Sequence, residues 1–172
     1  MEARKICLLG DFAVGKTSLV QRFVHNQFSP RYLSTIGVKV DTKELTLGDG
    51  RGLKLAIWDL AGAETPTELM VRYTRGAAGC LLVADATRAE TLGGCLRLRD
   101  AVTGALGPLP YVVLVNKGDL TESRETDSGE ARSLLPDALD WIDTSALTGA
   151  GVERAFGLLA ERMLAADRGL RP

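Results

Sequence analysis

A lysine and a threonine that close a glycine-bounded loop, Gly10-Asp11-Phe12-Ala13-Val14-Gly15-Lys16-Thr17, are the residues of this chain best suited to chemistry. Glycine, four residues, then Gly-Lys-Ser/Thr lets the backbone wrap so that its N–H groups face phosphate oxygens. Ala13, Val14, Gly15 and Ser18 would contribute backbone N–H groups. Lys16 would reach the outer phosphates, and the Thr17 hydroxyl would hold Mg²⁺. The context suits that reading. Lys5-Ile6-Cys7-Leu8-Leu9 reads as a buried strand, and Ser18 to Val24 has helical apolar spacing, so a positive helix end faces the loop.

Two further segments carry groups of the right kind. Asp59-Leu60-Ala61-Gly62 follows a strand; its carboxylate can anchor Mg²⁺, and the glycine lets an N–H approach the terminal phosphate. Asn116-Lys117-Gly118-Asp119 follows a later strand and addresses the base. A carboxylate accepts from both the ring N–H and the exocyclic amine of guanine, whereas adenine offers Asp119 a lone pair. A site built on hydrogen bonds rejects the wrong partner strongly, because buried polar groups would be left unpaired. Asn116 is expected to tie this loop to the phosphate loop, and the Lys117 stem to lie along the base. Ser145-Ala146-Leu147, after the last strand, would add backbone contact to the base, though the triplet alone carries little signal.

Positioning these segments requires strands and helices that alternate along the chain. At 172 residues, with 45% hydrophobic and 25% charged residues, one soluble domain over residues 1–172 is expected. Residues 4–9 are the first strand and 16–25 the first helix. Val38 to Leu47 and Leu53 to Trp58 alternate in polarity around the turn signal Gly48-Asp49-Gly50, which predicts a hairpin. Continuous apolar runs at Cys80 to Ala84 and Tyr111 to Val115 suit parallel strands covered on both faces. Helices are expected over about 89–105, 128–135 and 151–165, and a last strand over Leu139 to Ile142. The fold class is α/β: a six-stranded, mostly parallel sheet with one antiparallel edge pair and helices on both faces. A net charge of −1 and the lack of a Lys/Arg cluster do not suggest a nucleic-acid partner. Cys7, Cys80 and Cys95 are too widely spaced for a zinc set and read as apolar fillers.

In this order the motifs resemble the small GTPases of the Ras superfamily, and the Rab branch most closely, over about residues 4–165. Tyr32 to Val38, Leu55 to Gly62 and Arg72 to Ala77 carry the Rab-like character. The resemblance implies a P-loop NTPase fold that binds GTP or GDP with Mg²⁺. It makes Thr17, Thr35 and Asp59 the metal set, and Lys16 and Thr35 the catalytic residues. Phe28 would pack over guanine and Tyr32 would lid the phosphates. Switch I (about 28–40) and switch II (about 62–75) would meet protein effectors and regulators, with Trp58, Tyr73 and Val40 in the effector-reading trio.

Three departures qualify that picture. The family places a water-orienting glutamine directly after the Asp-x-x-Gly glycine; here the residue is Ala63, and a methyl group cannot hold water. Phe12 occupies a loop position usually held by a small residue, where a benzyl group would obstruct an arginine finger or else fold back over the loop. Slow hydrolysis follows, unless Arg31, Glu64 or Arg72 substitutes in cis. A GTP-locked, non-hydrolysing module is the alternative, and a P-loop kinase or ATPase is disfavoured by Asp119. The family's prenylated C-terminal cysteines are missing from Asp167-Arg168-Gly169-Leu170-Arg171-Pro172, so either the sequence was cut short or the protein carries no lipid. A cytoplasmic location, with membrane contact only through a partner, is the expectation.

Overall fold

The computed structural model describes residues 1–31, 34–63 and 66–169. Its elements run β1 (Glu2–Gly10), α1 (Lys16–His25), β2 (Val38–Thr46), β3 (Gly52–Leu60), α2 (Glu68–Thr74), β4 (Gly79–Asp85), α3 (Glu90–Leu106), β5 (Tyr111–Asn116), α4 (Ser128–Leu134), β6 (Trp141–Asp143) and α5 (Val152–Asp167). The six strands form one sheet in the order β2-β3-β1-β4-β5-β6. Every neighbouring pair is parallel except β2–β3, which is the expected antiparallel edge pair.

Strand parity splits the core into two layers. Ile6, Leu8, Leu81, Val83, Val112 and Leu114 point to one face, where Leu19, Phe23, Phe156 and Leu159 of α1 and α5 cover them. Their neighbours Cys7, Leu9, Cys80, Leu82, Val113 and Val115 point to the other, under Met70 of α2, Leu98 of α3 and Ala131 of α4. Period-two alternation of side chains, with both faces apolar, gives the continuous hydrophobic runs of the central strands. Phe23 and Phe156 stack with centroids 3.9 Å apart and rings 5° from parallel, which joins α1 to α5. All three cysteines are buried and free.

The hairpin turns where Gly-Asp-Gly predicts it: the Gly50 N–H donates to the Leu47 carbonyl at 2.9 Å. Two elements differ from the sequence expectation. The last strand is Trp141–Asp143 rather than Leu139–Ile142. Leu139 N–H already bonds the Tyr111 carbonyl, but residues 139–140 are the exit of the Leu135–Ala138 turn, and regular pairing with β5 starts only at Trp141. The second difference is α2, a helix not expected inside the 62–75 stretch. The Thr67 side chain caps it by accepting the Met70 N–H at 3.1 Å, and Met70 anchors it to the core.

Candidate functional site

Ligands in open α/β sheets bind beyond the carboxyl ends of the strands. A cleft of about 430 Å³ opens there, between the β1–α1 loop, the segment before β2 and the ends of β3, β5 and β6. Of the residues singled out from sequence, Ala13, Gly15, Lys16, Thr17, Ser18, Phe28, Thr35, Gly62, Asn116, Lys117, Asp119, Ala146 and Leu147 line it. Val14, Asp59 and Ser145 are buried just behind the wall. Tyr32 and Glu64 lie outside the described residues.

The loop's shape follows from what its neighbours allow. Gly15 has φ 99°, and a Cβ there would sit 2.4 Å from Asn116 Nδ2, so only glycine fits. Ala13 is held left-handed at φ 60°, a conformation that side chains resist. Lysine and asparagine from the β5 end supply the restraint: Lys117 Nζ donates to the Ala13 carbonyl at 2.9 Å, and Asn116 Nδ2 to the Val14 carbonyl at 3.0 Å. Asn116 is in turn fixed by the Thr144 hydroxyl at 3.2 Å. The turn after β5 is therefore tied to the β1–α1 loop, the link expected of Asn116.

Lys16 is buried, with its ammonium donating to the Gly10 and Asp11 carbonyls at 2.9 and 3.1 Å. Burial lowers its pKa to about 8, partly offset by the nearby Asp59 charge. A lysine held desolvated at a cleft wall gains from any anion placed against it.

Three oxygens converge at the far end of the loop. The Thr17 hydroxyl donates to Asp59 Oδ2 at 2.6 Å and lies 2.5 Å from the Thr35 hydroxyl, which is 3.5 Å from the same carboxylate oxygen. The other carboxylate oxygen, Asp59 Oδ1, is buried with no hydrogen-bond partner. Burial pushes the Asp59 carboxyl above its usual range, and the Thr17 hydrogen bond and Lys16 charge pull it partly back. An orphaned carboxylate oxygen beside two hydroxyls is a hard-oxygen set that fits Mg²⁺, which takes one or two protein carboxylates and completes its shell from phosphate and water. Among the described residues no cluster of three or more His, Cys, Asp or Glu competes as a metal site.

Opposite the loop, the Ser145 hydroxyl donates to Asp119 Oδ1 at 2.7 Å, which orients that carboxylate. Arg22 holds the Ala146 carbonyl through Nε at 2.8 Å and the Leu147 carbonyl through Nη2 at 2.6 Å, fixing the loop after β6. Phe28 and Leu120 flank the same end of the cleft, giving it apolar walls around a fixed carboxylate. Gly62 meets the β1–α1 loop directly: a Cβ there would lie 2.6 Å from Phe12 Cα and 2.7 Å from its N. Phe12 lines the cleft and is 55% exposed, so its ring stands at the mouth and is not folded away in the core.

Sequence reasoning missed several members. Ser29, Pro30, Leu60 and Leu120 line the cleft, each directly beside a residue that was named or one removed. Asp85 was missed as well; it is buried and accepts from Lys117 Nζ at 2.8 Å. Its place at the carboxyl end of a central strand was the available signal. Trp58 sits opposite Val40 in the β2–β3 ladder and 6.3 Å from Tyr73, so the expected trio does share one surface. His25, at the end of α1, has Asp41 at 3.8 Å and stands away from the cleft. No helix among the described residues is long and apolar enough to cross a membrane.

A model of the Ras family matches residues 5–165. Ras-related protein Rab-25 of Bos taurus is 37% identical over 163 residues, which is 94% of this chain and 76% of that protein. RABA2b of Arabidopsis thaliana is 38% identical over 154 residues, or 88% of this chain and 72% of the relative. Rab-7L1 of Rattus norvegicus is 34% identical over 166 residues, or 93% and 81%.

Proposed function

The chain belongs to the Ras family of small GTPases, and from that premise we propose that it is a Rab-like guanine-nucleotide switch that turns over GTP slowly. In this reading residues 1–172 form one G domain. Asp119, oriented by Ser145, reads guanine; Lys16 and the loop N–H groups hold the phosphates; and Thr17, Thr35 and Asp59 hold Mg²⁺. The ion, when bound, would neutralise charge on the outer phosphate oxygens.

One observation carries the slow-turnover half. Gly62 is pressed against the Phe12 backbone, so the next residue stands beside the outer-phosphate end of the cleft, and that residue is Ala63. An alanine side chain neither donates nor accepts hydrogen bonds, so it cannot orient an attacking water. The exposed Phe12 ring acts in the same direction, because it occupies the mouth through which a partner's arginine would enter. GTP-dependent ordering of Thr35 and Gly62 is the proposed signal. Ile36, Val40 and Leu69, exposed at 94%, 48% and 54%, give the two switch regions an apolar surface for effectors and regulators. The proposed location is the cytoplasm.

Single-turnover hydrolysis of GTP by the purified protein with Mg²⁺ tests this directly. The native chain should be slow, and Ala63→Gln should be faster. If native hydrolysis already matches the Ala63→Gln rate, the water-positioning argument is wrong. Asp119→Asn should sharply weaken GDP binding; unchanged affinity would remove the guanine assignment. A native protein that retains GTP with no turnover, even after Ala63→Gln, would favour the GTP-locked alternative.

A further inference from the structure

Arg88 lies between β4 and α3 and has no role in the site as read above. Its guanidinium is divided between two acceptors. Nη2 donates to the Phe12 carbonyl at 2.6 Å, and Nε donates to Asp85 Oδ2 at 3.1 Å. The same Asp85 oxygen accepts Lys117 Nζ at 2.8 Å, and that ammonium also donates to the Ala13 carbonyl at 2.9 Å. Asp85 is buried, and its other oxygen accepts the Thr87 N–H at 2.8 Å and the Thr87 hydroxyl at 2.7 Å. Burial alone would raise this carboxyl, but the hydrogen bonds from Lys117 and Thr87 outweigh it and hold it below its usual range. One ionised, immobile carboxylate therefore anchors two cations, and each cation holds one of two consecutive loop carbonyls.

Peptide geometry converts those contacts into orientation. In a trans peptide the C=O and the following N–H lie in one plane and point opposite ways. Drawing the Phe12 oxygen toward Arg88 turns the Ala13 N–H away from Arg88; drawing the Ala13 oxygen toward Lys117 does the same for the Val14 N–H. Ala13, between the two restraints, has φ 60°, a strained conformation that persists only when its surroundings determine it. Lys117 alone fixes one side of that residue. Arg88 fixes the other.

We propose that Arg88 is a positioning residue of the phosphate loop, holding the Ala13 N–H aimed at the nucleotide's outer phosphates through the Phe12 carbonyl. The inference rests on the guanine-nucleotide reading and adds a residue outside the recognised motifs to it. Arg88 reaches the base end only indirectly, through the Asp85 oxygen it shares with Lys117, so its direct effect falls on the phosphate loop.

The test compares GDP with GMP, which lacks the phosphate beyond the first. Affinities of both are measured by competition for the native chain, Arg88→Ala and Arg88→Lys. Arg88→Ala should weaken GDP about tenfold, the scale of one charge-assisted hydrogen bond, and leave GMP within about twofold. Arg88→Lys should recover part of the GDP loss, since an ammonium can donate to the Phe12 carbonyl but lacks the forked geometry for both acceptors. Equal losses for GDP and GMP would mean general loosening and overturn the proposal, as would unchanged GDP affinity in both variants. Should Arg88→Ala fail to fold, Arg88→Lys decides alone through its GDP-to-GMP ratio. A native chain that binds neither nucleotide would instead sink the guanine reading, and this inference with it.

Discussion

If Lys16 holds the nucleotide's phosphates as proposed, binding is coupled to its proton, with a sign and size that follow from its buried state. Burial lowers its ammonium from an ordinary 10.5 to about 8, with Asp59 and other groups opposing that by less. A polyphosphate laid against it favours the charged form and returns the group to its ordinary range or above. Below about pH 8 the free protein already carries the proton, so affinity does not change on this account. Above it, binding must take the proton up, and each further pH unit costs about tenfold, or about 1.4 kcal/mol. Between pH 7 and pH 9 GDP affinity should therefore fall about tenfold through Lys16. The nucleotide-free fold responds the opposite way: the unfolded lysine binds its proton more tightly, so stability rises with pH from about 8 to 10.5. Titration calorimetry of GDP into nucleotide-free protein, run in two buffers of different ionisation enthalpy, counts the protons. Uptake should be close to zero at pH 7 and approach one at pH 9. Lys16→Arg is the control, because arginine does not titrate and the guanine ring contributes equally to both proteins. A native protein whose pH slope matches that of Lys16→Arg would refute the reasoning.

Three other perturbations follow from the geometry. Gly62→Ala places a Cβ 2.6 Å from Phe12 Cα, and ordinary contact at 3.4 Å requires about 0.8 Å of separation between the two segments. The Gly62 N–H then misses the outer phosphate, so preference for a GTP analogue over GDP should drop at least tenfold, the scale of one hydrogen bond to a charged group, with GDP affinity retained; an unchanged preference would mean that Gly62 does not read that phosphate. Asp59→Ala removes the acceptor shared by Thr17 and Thr35; chelating Mg²⁺ should speed GDP release from the native chain at least tenfold but change the variant little, and equal responses would remove Asp59 from the metal set. Phe156→Ala deletes the α5 half of the ring stack on Phe23 and should cost about 3–5 kcal/mol in urea unfolding of the GDP-bound protein; a loss below about 1 kcal/mol would mean the layer repacks around the gap.

What the sequence made legible was set by range. The central strands announce themselves because each residue of Val112 to Val115 is buried, on one face or the other. The hairpin is marked by Gly48 and Gly50. Each recognised site segment is short, and its chemistry is local: a wrapped loop, a strand-end aspartate, an Asn-Lys-x-Asp turn. Helix α2 stayed hidden because seven residues give too few turns for periodicity, and its start is signalled only by the Thr67 cap. Asp85 and Arg88 stayed hidden for a different reason. Their partners are 32 and 76 residues away, and Arg88 meets a backbone carbonyl, which leaves no mark on the residue types involved.

Phe12 illustrates what that missing information decides. From sequence its ring could either block the cleft mouth or fold back over the loop. In the structure the residue lines the cleft and is more than half exposed, on a backbone that is held from two sides. On one side Arg88 holds the Phe12 carbonyl, and on another the Gly62 backbone lies so close to Phe12 Cα and N that not even a methyl group fits between them. The backbone at position 12 is thus held by contacts to main-chain atoms that any residue there would offer, and the ring it carries lines the cleft. Replacing it with glycine should leave the loop in place and simply clear the mouth of the cleft. The obstruction at position 12 and the missing amide at position 63 are therefore separable. In the proposed reading, the first would limit access for a partner's arginine, and the second the chemistry available without one. In a protein carrying both Phe12→Gly and Ala63→Gln, intrinsic hydrolysis should follow position 63 alone, while position 12 should matter only once an activating partner is supplied.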